Sequence, residues 1–260
     1  MNTKLQASLV KVPQITLTFW IVKIAVTTLG ETGGDAVSMS MGIGYAGSSV
    51  LFLLLFAVAV AFQIKSTEFN QYKYWVTVIA TTTAGTTLAD LADRTLGLGY
   101  AGGVVLLITL LAFSFYIWFR ISGAVSAHSI KTPSSEAFYW LTITFSQTLG
   151  TALGDWTADT AGLGYTGSMY IFGALLLLLT CFYFFTQVSR TVLFWSAFIL
   201  TRPLGAVVGD FIDKPLSAGG LELSRYSASF FLMVFVIACL VIFPQCSASK
   251  KTTERFNREY

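Results

Sequence analysis

Histidine occurs once in this 260-residue chain, cysteine three times and proline five times, and charged residues make up only 11% of it. Each scarcity excludes something. With one histidine, and with Cys181, Cys239 and Cys246 free of any CxxC or metal-type spacing, a copper or zinc site has no soft ligands to draw on. His128 stands alone in a polar loop and reads as a solvated residue. No nucleophile, base and orienting group recur at a workable spacing, so an enzyme is not expected. Neither is a nucleic-acid partner. The charged fraction is less than half the roughly 25% of an average soluble domain.

What fills the chain is apolar: 55% of the residues are hydrophobic and the mean hydropathy is +0.70. Residues 45–64, 100–119, 165–185 and 226–243 are each apolar over about the 20 residues needed to cross a ~30 Å hydrocarbon core. Residues 1–11 are mixed, and the apolar stretch after them runs on without a small-residue cleavage pattern, so the first helix is expected to stay in the protein. The first two cysteines lie in apolar spans, where packing is their expected role.

The organisation is repetitive. Trp20, Trp75, Trp140 and Trp195 are each followed fifteen residues later by Asp35, Asp90, Asp155 and Asp210. Five residues before each aspartate stands Gly30, Gly85, Gly150 or Gly205, and one residue before it Gly34, Ala89, Gly154 or Gly209. After the aspartate, three copies share a loop motif that begins Gly42-Ile43-Gly44-Tyr45, Gly97-Leu98-Gly99-Tyr100 and Gly162-Leu163-Gly164-Tyr165. The fourth substitutes Lys214-Pro215 and a polar stretch from Glu222 to Arg225, which predicts a longer, differently shaped connection.

These columns predict an all-α integral membrane protein of eight transmembrane helices. Because each unit holds two spans, the four units run parallel, with pseudo-symmetry about the membrane normal. The chain reads as a single membrane domain over residues 1–260, with repeats at 14–65, 70–120, 135–186 and 190–245 and a polar cytoplasmic tail at 246–260. Lysines and arginines concentrate on one side (Lys4, Lys11, Lys65, Lys73, Arg120, Lys131, Arg190, Lys250, Lys251, Arg255, Arg258) against Arg94, Lys214 and Arg225 on the other. Both termini are therefore expected in the cytoplasm. The tryptophans fall near the cytoplasmic ends, where interfacial anchoring is their expected role.

Eight of the thirteen acids (Glu31, Asp35, Asp90, Asp93, Asp155, Asp159, Asp210, Asp213) gather at the opposite end of the first helices. An aspartate at mid-bilayer costs about 2.5–3.5 kcal/mol on insertion scales, so the four aligned ones should face each other or a wet cavity. The small pairs at i and i+4 would let the helices approach closely enough to bring them together. One and two turns deeper stand Glu31, Thr86, Thr151 and Ala206, then Thr27, Thr82, Gln147 and Arg202, a polar lane toward mid-membrane. Lys23 and Arg202 are deep basic residues that need an acid partner, a route to the interface, or water. Arg202 is expected to neutralise the acids when no cation is bound, and Lys23 to pair or reach the cytoplasmic interface.

The Trp-to-Asp units resemble a bacterial membrane-protein family of four tandem repeats, each with two transmembrane segments and a tryptophan, whose function is unknown. The resemblance covers nearly the whole chain and implies the architecture and a bacterial inner-membrane location; it brings no mechanism. A second likeness is to cation exchangers whose helices carry Glu-x-Gly-Asp motifs, which Glu31-Thr32-Gly33-Gly34-Asp35 approaches with one residue more.

The ligand chemistry favours a hard cation of the Mn²⁺, Mg²⁺ or Ca²⁺ class, held by Glu31, Asp35, Asp90, Asp155 and Asp210. Thr27, Thr82, Gln147, Arg202, Lys23, Asp93, Asp159 and Asp213 would serve the pathway or the coupling. Export of a cation of this class in exchange for protons is the leading expectation, with a lean toward manganese, with lipid, metal ion and proton as partners, no cofactor, and a homo-oligomer left open. Two alternatives fit the same spacing: a proton-coupled carrier of a small organic solute, and a non-transporting scaffold or sensor.

Overall fold

The computed structural model describes residues 11–125, 130 and 132–248. Lys4, His128, Lys131, Lys250, Lys251, Arg255, Arg258 and residues 249–260 of the expected tail lie outside the described residues.

Among the described residues the chain forms eight long helices: α1 (Leu17–Asp35), α2 (Gly44–Lys65), α3 (Gln71–Asp90), α4 (Gly99–Ser122), α5 (Pro133–Asp155), α6 (Gly164–Phe185), α7 (Arg190–Asp213) and α8 (Arg225–Ile242). Local chemistry starts several of them. The Thr16 hydroxyl accepts from the Phe19 N–H, Asn70 accepts from the N–H groups of Tyr72 and Lys73, and Thr132 with Ser135 closes a capping box ahead of Pro133. Each satisfies backbone donors that a helix start leaves open.

The first three copies end their first helix alike. The α-helix closes on the aligned aspartate and continues as one π turn (Ala36–Ser40, Leu91–Thr95, Trp156–Thr160). Two glycines with positive φ then reverse the chain, Gly42 and Gly44 in the first copy, a conformation that costs glycine least. The fourth copy has no π turn. Its α7 runs on to Asp213, and the connection folds back on it through Leu221 N–H to Phe211 O (2.7 Å) and Leu223 N–H to Ile212 O (2.9 Å).

Helices α1, α3, α5 and α7 form a closed ring: each packs against two ring neighbours, and α7 returns to α1. The second helix of each copy packs on the ring helix of the next copy, α2 on α3, α4 on α5, α6 on α7, and α8 on α1. The last helix thus closes the circle begun by the first. Five helices (α2, α4, α6, α7, α8) are long and apolar enough to cross a membrane. The other three ring helices are more polar and largely buried, because the peripheral helices surround them. The peripheral helices turn Leu54, Val105, Leu177 and Phe231 outward, a wall compatible with a multi-pass membrane protein.

At the end opposite the aspartates the ring is filled with aromatics. Trp75 and Trp140 are each 1% exposed and Trp195 is 5% exposed. This corrects the expectation of interfacial anchors for these three, while Trp20 is half-buried. At that end the ring helices leave an apolar space for the indoles to fill, and a buried indole removes more apolar surface from water than one at a headgroup does. Two indole N–H groups still find acceptors: Trp75 donates to Gln245 Oε1 (3.0 Å) and Trp195 to Val125 O (2.8 Å). A strap covers this end, where residues 12–14 pair with residues 246–248 through Gln14 N–H to Cys246 O and Ala248 N–H to Val12 O (both 2.9 Å). Lys11 ties the strap to Glu136 (2.6 Å).

Candidate functional site: an axial polar lane

The aligned glycines set the geometry. A Cβ on Gly30 would collide with Thr82, on Gly85 with Gln147, on Gly150 with Arg202, and on Gly205 with Thr27. Every ring interface therefore repeats one contact: the glycine five residues before an aspartate meets the residue eight before the next. The second small residue behaves likewise, Gly34 against Thr86, Gly154 against Ala206 and Gly209 against Glu31. Matching columns at every interface mean the ring helices are parallel and in register, and each column becomes a layer across the axis.

The top layer is the four aspartates, 1–4% exposed. They divide into two bridged pairs. Arg94 holds Asp90 (Nε, 2.7 Å) and Asp155 (Nη2, 3.6 Å). Lys214 holds Asp35 and Asp210, the latter at 3.1 Å. Arg225 sits beside them on Asp213 (2.8 Å) and Asp35 (3.8 Å), and donates to Ser40 Oγ (3.2 Å). Burial by itself would pull the Lys214 ammonium toward neutrality, but the carboxylates of Asp210, Asp35 and Asp213 outweigh it and raise its pKa.

One turn deeper lie Glu31, Thr86, Thr151 and Ala206. The Arg202 guanidinium fills the centre of this layer: Nη2 donates to Glu31 Oε2 (2.9 Å), Thr86 Oγ1 (2.6 Å) and Thr151 Oγ1 (2.5 Å), and Nη1 to Thr27 O (3.3 Å). Ala206, the one small residue of the layer, leaves room for that head group. Arg202 thus pairs with an acid as expected. Below it lie Thr27, Thr82, Gln147 and the Arg202 stem, all fully buried. The Thr82 hydroxyl, both Gln147 amide atoms and Arg202 Nε have no hydrogen-bond partner.

The next layer is Lys23, Val78, Ile143 and Phe198, all 0% exposed. Lys23 Nζ has no hydrogen-bond partner and stands 4.2 Å from the centroid of the Phe198 ring. This corrects the expectation that Lys23 pairs with an acid or reaches an interface, because α3 and α7 flank α1 and keep its head group inside the ring. The lane ends on Phe19, Tyr74, Tyr139 and Phe194, where the two tyrosine hydroxyls bond each other at 2.9 Å.

Two acids fall outside the lane. Asp159 is exposed and accepts from the Tyr100 hydroxyl (3.2 Å). Asp93 is buried against Gly103 of α4 with neither oxygen hydrogen-bonded, and burial pushes its pKa up to about 6 against the pull of Arg94. Asp213 lies at the rim on Arg225.

Arg94, Lys214 and Arg225 were read from the sequence as topology signals alone. The missed clue was spacing: Arg94 and Lys214 each stand four residues after an aligned aspartate, where helix side chains meet. Among the described residues, the ion pairs of the acid end join six carboxylates (Glu31, Asp35, Asp90, Asp155, Asp210, Asp213) to four cations (Arg94, Arg202, Lys214, Arg225). Two carboxylates are in excess. At the seam between the fourth and first copies, Glu31, Asp35 and Asp210 bring ligand oxygens within 4.8 Å of one another.

The apolar wall, the fourfold tandem repeat and the buried ionic axis define an all-helical repeat protein compatible with multi-pass membrane residence. More particularly, the chain belongs to the family described as Repeat of Unknown Function (DUF347), which matches residues 18–69, 73–124, 138–189 and 193–243. No curated protein and no solved structure matches it.

Proposed function

We propose that this protein is a bacterial inner-membrane transporter that exchanges a hard divalent cation of the Mn²⁺, Mg²⁺ or Ca²⁺ class, manganese foremost, for protons. All eight helices span the bilayer with both termini cytoplasmic, so the acid end faces outward. The three more polar ring helices fall short on hydropathy because their lane faces the axis, shielded from lipid by the peripheral helices. Lys11, Lys65, Lys73, Arg120 and Arg190 fall at the aromatic end, which the positive-inside rule places in the cytoplasm.

The observation that carries this reading is the seam of Glu31, Asp35 and Asp210 within an acid end whose ion pairs hold two carboxylates more than cations. A divalent ion, or two protons, neutralises that excess. Oxygen ligands suit hard ions, and the lane offers no sulfur or imidazole. Lys214 and Arg202 act as resident counterions: an arriving metal takes the carboxylates and releases the side chains, and its departure lets them return. The aromatic layer and the strap close the cytoplasmic end in this arrangement, so access there requires the ring helices to part.

Purified protein in proteoliposomes provides the test. Mn²⁺ flux should exceed Zn²⁺ flux and fall at least tenfold in Asp210→Asn. Equal flux in that variant, or no flux of any divalent ion in the wild type, would contradict the reading.

A further inference from the structure

We propose that Lys23 is a second, deeper station of the lane, and that its amine binds the proton exchanged for the metal. The inference rests on the cation-transport reading and adds to it the residue that carries the coupling.

Lys23 is sealed in a layer with Val78, Ile143 and Phe198, and no acceptor reaches its Nζ. The charged and titratable groups around it are few. From α7 comes Arg202, whose stem lies in the layer directly above and whose guanidinium is paired with Glu31. From α3 and α5 come Tyr74 and Tyr139 one layer below, already bonded to each other. On α1 itself the nearest acid is Glu31, two turns above. α8, packed on the other side of α1, carries Arg225 and Tyr226 at the acid end and Cys239 at the aromatic end. A permanent ammonium here would lack both counterion and hydrogen bond, which is the most costly way to bury a charge. An amine that gains and loses a proton pays that cost for part of the cycle only.

The way in is also present. Thr82 Oγ1, both amide atoms of Gln147 and Arg202 Nε are buried without partners in the layer directly above. Buried polar atoms are ordinarily satisfied by water where protein does not reach them, so this layer suits a short file of water between the carboxylates and Lys23. The coupling then follows from charge. Metal binding to Glu31, Asp35 and Asp210 frees Arg202 from its carboxylate and adds positive charge above Lys23, which expels the proton from the ammonium to water. Metal departure restores the negative excess, and the amine lone pair takes a proton from water again. The exchange is one proton at Lys23 for each metal event, with any further protons carried by the carboxylates.

The test is the number of protons released on Mn²⁺ binding, from calorimetry of the intact protein in buffers of different ionisation enthalpy. Lys23→Met removes a buried unpartnered polar atom and should fold at least as well as the wild type. Lys23→Arg keeps a charge that cannot be given up. Both should bind Mn²⁺ with about one proton fewer released than the wild type. An unchanged proton count in either variant overturns the proposal while leaving metal transport standing. Absence of Mn²⁺ binding by the wild type overturns the transport reading itself, and this proposal with it.

Discussion

The two ends of one ring are held together by different physics. At the acid end, Arg94 and Lys214 each bridge carboxylates of two copies and Arg202 of the fourth copy pairs with Glu31 of the first, contacts that depend on the ionisation of both partners. At the aromatic end, edge-on pairs such as Trp118 with Trp195 (90°, 5.8 Å) and Tyr74 with Trp75 (88°, 5.4 Å) pack without charge, and no ion competes with them. The backbone scaffold is shared, since the glycine contacts recur at every interface. The ion pairs between ring helices thus gather in one half and the aromatic packing in the other, where the Lys11–Glu136 pair ties down the strap.

The scaffold is the place where substitution costs most. Gly205→Val would drive a branched side chain into Thr27 and the Thr28 backbone. Both halves should fail together, seen as loss of a monodisperse peak on size-exclusion chromatography after detergent extraction. Next, Arg202→Met leaves Glu31 buried and unpaired, at a cost of about 3–5 kcal/mol. Adding Glu31→Gln should return most of that stability, because replacing both members of a buried pair is often close to neutral. Thermal melts of the two variants give the comparison.

At the aromatic end, Tyr74→Phe removes the hydroxyl that bonds Tyr139 and should cost about 1 kcal/mol. Its melting temperature should shift equally with and without divalent cations, since this layer carries no ion. An effect of opposite sign belongs to Asp93, whose folded pKa of about 6 lies above the ordinary carboxylate value. A raised carboxylate pKa favours the protonated folded form, so its contribution to stability is lost as pH rises from about 4 to 6. Asp93→Asn should flatten the melting temperature across that window and raise it by a few degrees at pH 7 in fluorescence-monitored melts.

Much of this comparison was legible in the sequence. Gapless columns around the aspartates predicted the repeat, the close helix contacts and the lane, because glycine at i and i+4 beside an acid has few other uses inside an apolar chain. The aromatic end was misread. A tryptophan near the end of an apolar helix looks the same in sequence whether it faces lipid headgroups or a neighbouring ring helix, and only the packing of α1 with α3 and α7 decides. The division of the aspartates into two bridged pairs was equally invisible, because Arg94 and Lys214 belong to single copies and break a symmetry that the columns imply. Lys23 needed the layer beside it: the sequence shows its depth, and only the fold shows that Phe198 is its neighbour.

The most direct test is metal-induced thermal stabilisation of the purified protein across Mn²⁺, Mg²⁺, Ca²⁺ and Zn²⁺, comparing the wild type with Asp35→Asn, Asp210→Asn and Tyr74→Phe. A ligand that binds only the folded form must stabilise it, by about 2.7 kcal/mol at a hundred times its Kd. A hard cation, Mn²⁺ foremost, should stabilise the wild type and Tyr74→Phe and leave both aspartate variants unchanged. Stabilisation by no metal, or an equal response in all four proteins, would contradict a cation site at the seam of the first and fourth copies.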